Sequence, residues 1–242
     1  MSITTLPAAA SGTFSIGGDL PVNRIGYGTM QLTGAGHWGS PADAYGPTTA
    51  EHLIRQALHP YRDELVIATK GGMTRQGPNQ WAPVGRPEYL RQCVEMSLRR
   101  LQLDRIDLYY LHRIDPRVRF EDQIGALDDL RNQGKIRHLG LSKVTVSQIE
   151  AAQKITPITA VQNRFNLLDD GDDTVLDYCT QTRIAFVAYA PLAAGALVNE
   201  PGNPHAAPHS IRWLLDRAPV VLPIPGTTSL AHLTRNAAAA SK

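Results

Sequence analysis

Ile106-Asp-Leu-Tyr-Tyr-Leu-His112-Arg-Ile-Asp115 is the stretch whose reading decides the fold. Its first six residues form a compact, mostly apolar run of the kind a strand buried on both faces needs. A second run, Leu65-Val-Ile-Ala-Thr-Lys70-Gly-Gly, has the same form. Each ends in a group that can hold or move a proton. In a parallel α/β barrel the C-terminal ends of the strands build the active site, so a lysine and a histidine there point to catalysis rather than packing. A third residue, Tyr45, sits in the turn-like Asp43-Ala-Tyr45-Gly46-Pro47, just before a helical stretch. Tyrosine, lysine and histidine converging at one barrel mouth predict proton transfer to a carbonyl oxygen.

Outward from these runs, Thr13–Ile16 and Leu20–Arg24 flank a glycine-rich turn and read as a small hairpin. Ile25–Thr29 reads as the first barrel strand and Ala50–Leu58 as a helix. Strand Leu65–Thr69 is followed by a loop holding Gly77-Pro78 and Pro83, then by a helix over Pro87–Leu101 with Pro and Glu in its first turn. The alternation goes on through strand 106–111, helix 120–133, strand 136–141, helix 146–154 and strand 159–162. It ends with helix 172–182, strand 184–189, a short helix Ser210–Arg217, strand 220–224 and helix 229–239. Short apolar strands alternating with amphipathic helices imply βαβ units on a parallel sheet. The expected fold is an α/β (β/α)8 TIM barrel with an N-terminal hairpin, one domain over residues 1–242.

The barrel is expected to be incomplete. Only 15 residues, rich in small and turn-forming types, lie between Thr29 and Tyr45. A helix and the next strand do not fit there, because a parallel crossover alone takes a dozen or more residues. The region before the last strand is short as well, which leaves seven convincing strands. Either interior segments of a longer chain are left out of this one, or it is a shortened gene product. The first is expected, because deleting an interior barrel strand exposes its neighbours' edges. It predicts breaks near 39–42 and 202–212, where the helix loses its apolar period at Ile211-Arg212.

Composition bounds the function. With 43% hydrophobic and 19% charged residues in 242, the chain has an ordinary globular make-up. A formal charge of +2 and scattered arginines argue against nucleic acid as a partner. Cys93 and Cys179 fall in helical patterns and imply neither disulfide nor metal, in keeping with a reducing, cytoplasmic setting. No stretch reads as a secretory leader or a membrane span.

The motifs resemble the aldo-keto reductases. Those that carry the resemblance are Gly26-x-Gly28-Thr29, Ala42-x-x-Tyr45-Gly46, Ile67-Ala-Thr-Lys70, Leu111-His112-x-x-Asp115 and Gly134-Lys-Ile-Arg-x-x-Gly140-Leu-Ser142. Val161-Gln162-Asn163, Tyr189-Ala-Pro191-Leu192 and Pro223-Ile-Pro-Gly-Thr227 continue it in the expected order over nearly the whole chain. The runs His112-Arg-Ile-Asp115 and Pro191-Leu-Ala-Ala-Gly195 look closest to bacterial members, including ones similar to pyridoxal reductase. The resemblance implies an NADPH-dependent reductase of small carbonyl substrates, with a catalytic Asp-Tyr-Lys-His set. Tyr45, Lys70 and His112 match three of the four. Position 40, where the aspartate is expected, holds serine, and Asp43 falls at a different point of the pattern.

In that reading Tyr45 is the general acid, Lys70 eases its proton release by favouring the phenolate, and His112 orients the carbonyl. Singly, each has a structural alternative: a loop tyrosine, a strand-end lysine and a core-edge histidine. For the cofactor the resemblance implies Gly28, Thr29, Ser142, Gln162, Tyr189, Pro191, Leu192, Gly226, Thr227, His232 and Asn236. Ser142 and Gln162 would hold the nicotinamide carboxamide, and Tyr189 would stack on the ring. Many family members have Lys-Ser where this chain has Gly226-Thr227, and arginine where it has His232, so NADH is possible beside NADPH. The loop can still cradle phosphate through backbone N–H groups and the helix dipole, or simply cap the helix. No metal site is expected. Two alternatives stand beside the reductase: a cofactor-binding, catalytically weak relative like the channel-associated β-subunits, and an unrelated barrel lyase or isomerase. Trp38, Trp81 and Met73 are candidate pocket residues; substrate and oligomeric state are left open.

Overall fold

The computed structural model of the chain describes residues 7–33, 49–77, 80–171, 173–197 and 206–240. Tyr45, Ser40, Asp43 and Trp38, and the expected break near 39–42, lie outside these described residues. In chain order the elements begin with the hairpin β1 (Thr13–Ile16) and β2 (Leu20–Asn23), then α1 (Thr49–Leu58), β3 (Ala68–Gly71), β4 (Met73–Gly77), β5 (Gln80–Pro83) and α2 (Pro87–Leu101). They continue with β6 (Ile106–Leu111), α3 (Phe120–Asn132), β7 (Ile136–Ser142), α4 (Val146–Gln153) and β8 (Ile158–Arg164). The last are α5 (Asp173–Thr182), β9 (Ala185–Tyr189), α6 (Ala206–Arg217), β10 (Val221–Pro223) and α7 (Leu230–Ala238). Contacts divide the chain into two compact units, Thr29–Thr159 and Met1–Gly28 with Ala160–Lys242.

In the unit Thr29–Thr159, β6 is the middle of three parallel strands, pairing with β3 on one side and β7 on the other. Its outward residues pack beneath α2 and α3, whose Leu90, Val94, Leu101, Ile124, Leu127 and Leu130 are fully buried. Local signals set the helix ends. Glu88 in the first turn of α2 and Arg99 and Arg100 in its last complement the helix dipole. Gln102 ends α2 in a left-handed conformation, φ 54°, and its N–H bonds back to Arg99. α4 opens on a capping box: the Gln148 N–H donates to Thr145 Oγ1, and Gln148 Oε1 accepts from the Thr145 N–H at 2.9 Å.

Three expectations need correction here. The strand expected at Leu65–Thr69 enters its ladder only at Ala68, because the Leu65 N–H closes a turn on Arg62 and the Ile67 N–H donates to Asp107 Oδ2 at 3.1 Å. The loop expected around Pro83 is an antiparallel hairpin, β4 with β5, closed by Val84 N–H to Gly72 O at 2.9 Å. Pro83 is tolerated as the last residue of an edge strand. Helix α6 is also longer than the eight residues expected: it spans 12, unbroken over 206–217, with Ser210, Ile211, Leu214 and Leu215 buried. That spacing is a regular apolar stripe, so no break lies inside it.

In the other unit β9 runs parallel between β8 and β10. Ile25–Gly28 follows β10, with Gly26 N–H to Pro223 O at 3.0 Å and Gly28 N–H to Pro225 O at 3.1 Å. It is not a regular strand, because Pro223 and Pro225 have no N–H to return the bonds. With it, the described residues hold seven parallel segments. Glycine is required on both sides of this seam: a Cβ on Gly28 would lie 2.6 Å from Ile224 O, and one on Gly226 2.4 Å from Gly28 O. The Arg24 guanidinium donates to Leu215 O and Ala218 O at 2.6 and 2.7 Å, satisfying carbonyls at the end of α6.

An almost buried ion pair ties α1, β3 and α2 together in the unit Thr29–Thr159. Glu51 on α1 accepts from Arg100 Nε on α2 at 2.5 Å and from Thr69 Oγ1 on β3 at 2.7 Å. Glu51→Ala strands a guanidinium whose side chain is 10% exposed. It should therefore destabilise the fold by about 3 kcal/mol, read as a lower urea midpoint at unchanged slope.

Candidate active site

Parallel register places the proton-handling groups. Lys70 lies opposite Tyr110, and Tyr110 opposite Gly140. His112 and Ser142 are two residues further along their strands, so Lys70, His112 and Ser142 share one face of the sheet, the face turned away from α2. The His112 N–H donates to Gly71 O at 2.9 Å, which extends the ladder one residue past β6.

His112 and Ser142 are buried, 4% and 2% exposed. Burial pushes the His112 imidazole well below its ordinary pKa, and the positive charges of Lys70 and Arg113 push it further down. At neutral pH it is therefore a neutral hydrogen-bonding ring, not an acid. Arg113 donates from Nη1 to His112 O at 2.6 Å and to Ser142 Oγ at 3.1 Å. Trp81, on β5, meets the His112 ring edge-on with centroids 6.2 Å apart, and the Arg75 guanidinium lies 4.2 Å over Trp81. Both arrangements are favourable aromatic contacts. Met73 is buried at the start of β4.

Asp115 has a different task from the proton-handling group its position first suggests. It is 2% exposed. Its Oδ1 accepts from Arg117 Nε at 2.9 Å and from the Arg117 N–H at 3.0 Å; its Oδ2 accepts from the Gly85 N–H at 3.0 Å. Gln123 reaches back from α3 to both backbone groups of Asp115 at 2.9 Å. Arg117 also donates to Pro83 O. Asp115 is thus a clamp that ties the loop after β6 to the end of the β4–β5 hairpin, which carries Trp81. The hydrogen bond from Arg117 holds its carboxyl down at about 2, against the opposing effect of burial and with help from the N–H groups of Arg117 and Gly85.

The remaining expected residues fall in the other unit, apart from Thr29, whose carbonyl starts the turn Met30–Thr33. Gln162 is buried, and register puts it opposite Val187 and Arg164 opposite Tyr189, so Gln162 and Tyr189 share a face while Asn163 points to the other. Pro191 is buried and Leu192 half-buried in the turn after β9. Gly226 lies on the seam with Gly28. The Thr227 hydroxyl accepts from the Ser229 N–H at 3.1 Å, and Ser229 caps α7 by accepting from the His232 N–H. On α7, His232 is exposed and Asn236 buried.

Two strand ends are strained. Lys143, directly after Ser142, has φ 56°, and Ala190, directly after Tyr189, has φ 51°. Left-handed backbone costs a non-glycine residue about 1–2 kcal/mol. Asn166, fully buried, braces the second of them by donating from Nδ2 to Ala190 O at 3.0 Å.

The aldo/keto reductase family pattern matches residues 40–210. The chain belongs to the aldo/keto reductase family. An uncharacterized oxidoreductase of Schizosaccharomyces pombe is 43% identical over 270 residues, covering 98% of this chain and 87% of the yeast protein. Pyridoxine 4-dehydrogenase of Escherichia coli is 35% identical over 267 residues, covering 95% of this chain and 93% of that protein. The first alignment is longer than the chain's 242 residues, so the yeast protein has interior residues with no counterpart here. Among solved structures, the glycerol dehydrogenase of Gluconobacter oxydans superposes with TM-score 0.83 at 23% identity over 95% of this chain and 90% of that one. An aldo-keto reductase of Klebsiella pneumoniae in complex with NADPH gives 0.76 at 24% identity over 94% and 89%. These neighbours establish the barrel-type α/β fold. Family membership makes the chain an oxidoreductase acting on carbonyl compounds.

Register puts Lys70, His112 and Ser142 on one face, while the partners beside them, Arg113, Asp115 and Gln123, are not among the site residues read from the sequence. The available signal for Arg113 was its place beside His112 at a strand end. Nothing local in the sequence marks Gln123 or the Gly85 N–H as partners of Asp115. Because folding lowers the Asp115 pKa from about 3.9, its stabilisation is complete above pH 4 and lost as pH falls towards 2. Asp115→Asn should therefore cost roughly 2 kcal/mol at pH 7, and the gap to wild type in urea unfolding should close between pH 4 and pH 2.

Proposed function

We propose that the chain is an NADPH-dependent reductase that turns an aldehyde or ketone into the alcohol, with its 242 residues acting as one barrel domain in the cytoplasm. The observation that carries this reading is Lys70 beside a buried, neutral His112 on one face of adjacent strand ends. When bound, NADPH supplies the hydride taken up by the carbonyl carbon. Tyr45 gives its phenolic proton to the carbonyl oxygen, where negative charge builds as the C=O bond becomes a C–O single bond. Lys70, as an ammonium, favours the phenolate left on Tyr45. His112, held neutral by burial and two cations, aligns the carbonyl oxygen by a hydrogen bond without competing as the acid.

The donor set fits a dinucleotide. Ser142 and Gln162 are buried polar groups at strand ends, suited to the carboxamide, and Tyr189, Pro191 and Leu192 supply ring-facing surface. Gly28 and Thr29 would line the same cofactor. At the phosphate end Gly226 and Thr227 precede the N-terminus of α7, whose dipole favours anions, with His232 and Asn236 on that helix. No lysine or arginine stands at 226, 227 or 232, so NADH is the second cofactor to test.

Serine at position 40, where the family pattern has aspartate, favours one alternative: a cofactor-binding protein of low turnover. NADPH with 4-nitrobenzaldehyde, followed at the cofactor absorbance band, separates the two. A reductase consumes NADPH; the alternative binds it tightly without turnover. Tyr45→Phe should lower kcat by about 10²–10⁴-fold while NADPH affinity stays close to wild type. A Phe variant of near wild-type activity would remove Tyr45 from the role of acid.

A further inference from the structure

Arg113 is a strand-end cation to which the mechanism above gives no part in holding the cofactor. Its place is fixed by two acceptors on adjacent strand ends, the His112 carbonyl at 2.6 Å and Ser142 Oγ at 3.1 Å. A guanidinium has five N–H donors and no acceptor, so in this contact the serine oxygen can only accept. That contact takes one of the two lone pairs of the hydroxyl and, by drawing charge from the oxygen, leaves Ser142 a stronger donor and a weaker acceptor. A carboxamide offers an oxygen that accepts and an NH2 group that donates, and a hydroxyl polarised in this way matches the oxygen better than the NH2 group.

We infer that Arg113 is a positioning residue that strengthens the Ser142 hydroxyl as a donor and so favours the carboxamide oxygen of the nicotinamide over its NH2 group. The inference rests on the proposed place of Ser142 beside the carboxamide. Selecting one end of the amide fixes how the nicotinamide is presented, a property distinct from the hydrogen bond of Ser142 itself. The guanidinium is suited to this: the two hydrogens of its Nη1 are fixed in the guanidinium plane and serve the two acceptors, whereas a lysine ammonium is a point charge on a flexible stem. The same charge opposes protonation of His112. One side chain therefore orders a hydroxyl on β7 and helps keep the ring at the end of β6 neutral.

The test is a double-mutant cycle of Arg113→Met and Ser142→Ala, read as Kd for NADPH by fluorescence titration without substrate. The fragment 2′-phospho-ADP-ribose, which lacks the nicotinamide, is the second probe. Each single variant should weaken NADPH about five- to tenfold, and the double variant should be no weaker than Ser142→Ala alone. Fragment affinity should stay at the wild-type value in all three, which also reports that the variants fold. The His112 ring protons, followed by NMR in the unliganded protein, should titrate at higher pH in Arg113→Met and return towards wild type in Arg113→Lys. Additive losses in the cycle, or an Arg113→Met variant that binds NADPH like wild type while Ser142→Ala does not, overturn the inference and leave the proposed function standing. A Ser142→Ala variant that binds NADPH like wild type overturns the carboxamide contact itself, and the inference with it.

Discussion

The register of β6 between β3 and β7 is the constraint on which the site depends. Side chains alternate across a strand, so a slip of one residue would turn Lys70, His112 and Ser142 towards the helices and bring Thr69 and Leu111 into their places. The outer face prevents that slip. Tyr109 and Leu111 are fully buried beneath the helices, and Thr69 is held by Glu51, which is itself bonded to Arg100. A buried face thus sets where Lys70, His112 and Ser142 stand on the opposite side of the same strands. The Glu51–Arg100 pair, although remote from the chemistry, lies on the same mechanical path.

The strand-end charges follow from this geometry. Burial makes the neutral His112 ring the stable form, and the charges of Lys70 on the neighbouring strand and of Arg113, next in the chain, add to it. The acidic residue closest in sequence, Asp115, is spent elsewhere. Hydrogen bonds with Arg117, Gly85 and Gln123, that with Arg117 Nε being also an ion pair, commit its carboxylate and backbone to holding the Trp81 hairpin against the loop after β6. Had Asp115 faced His112 instead, a carboxylate would have raised the imidazole pKa and turned the ring into an acid. The separation of the two is as much part of the site as the proximity of Lys70.

Much of this was legible in the chain. Helix α2 and strand β6 begin and end where periodicity, Pro87, Glu88 and the last-turn arginines predict, because local and tertiary preferences agree there. Lys70 and His112 were readable because a polar residue ending a buried run has few other reasons to be there. Where the reading missed, a long-range partner decided. Asp107 takes the Ile67 N–H and delays β3; the prolines of the last strand remove return bonds from Ile25–Gly28. The earlier start of α6 restores an apolar stripe that looks broken when counted from Ser210. The clamp on Asp115 was invisible for the same reason, since its partners Gly85 and Gln123 come from two other segments.

The strained turns after Ser142 and Tyr189 complete the same logic. Glycine would adopt φ 56° at Lys143 or φ 51° at Ala190 at no steric cost. It would also widen the conformations open to each strand end, in the unfolded chain and in the folded loop alike. A lysine and an alanine forced into that region have few neighbouring conformations to escape to once the surroundings hold them. At Ala190 that hold is visible: Asn166 bonds its carbonyl, and the Ala193 N–H bonds the same oxygen at 2.9 Å. The cost of about 1–2 kcal/mol per residue falls where two side chains assigned to the cofactor leave their strands. At the end of β9, strain braced by these hydrogen bonds fixes the direction of Tyr189 more firmly than an unstrained glycine turn would.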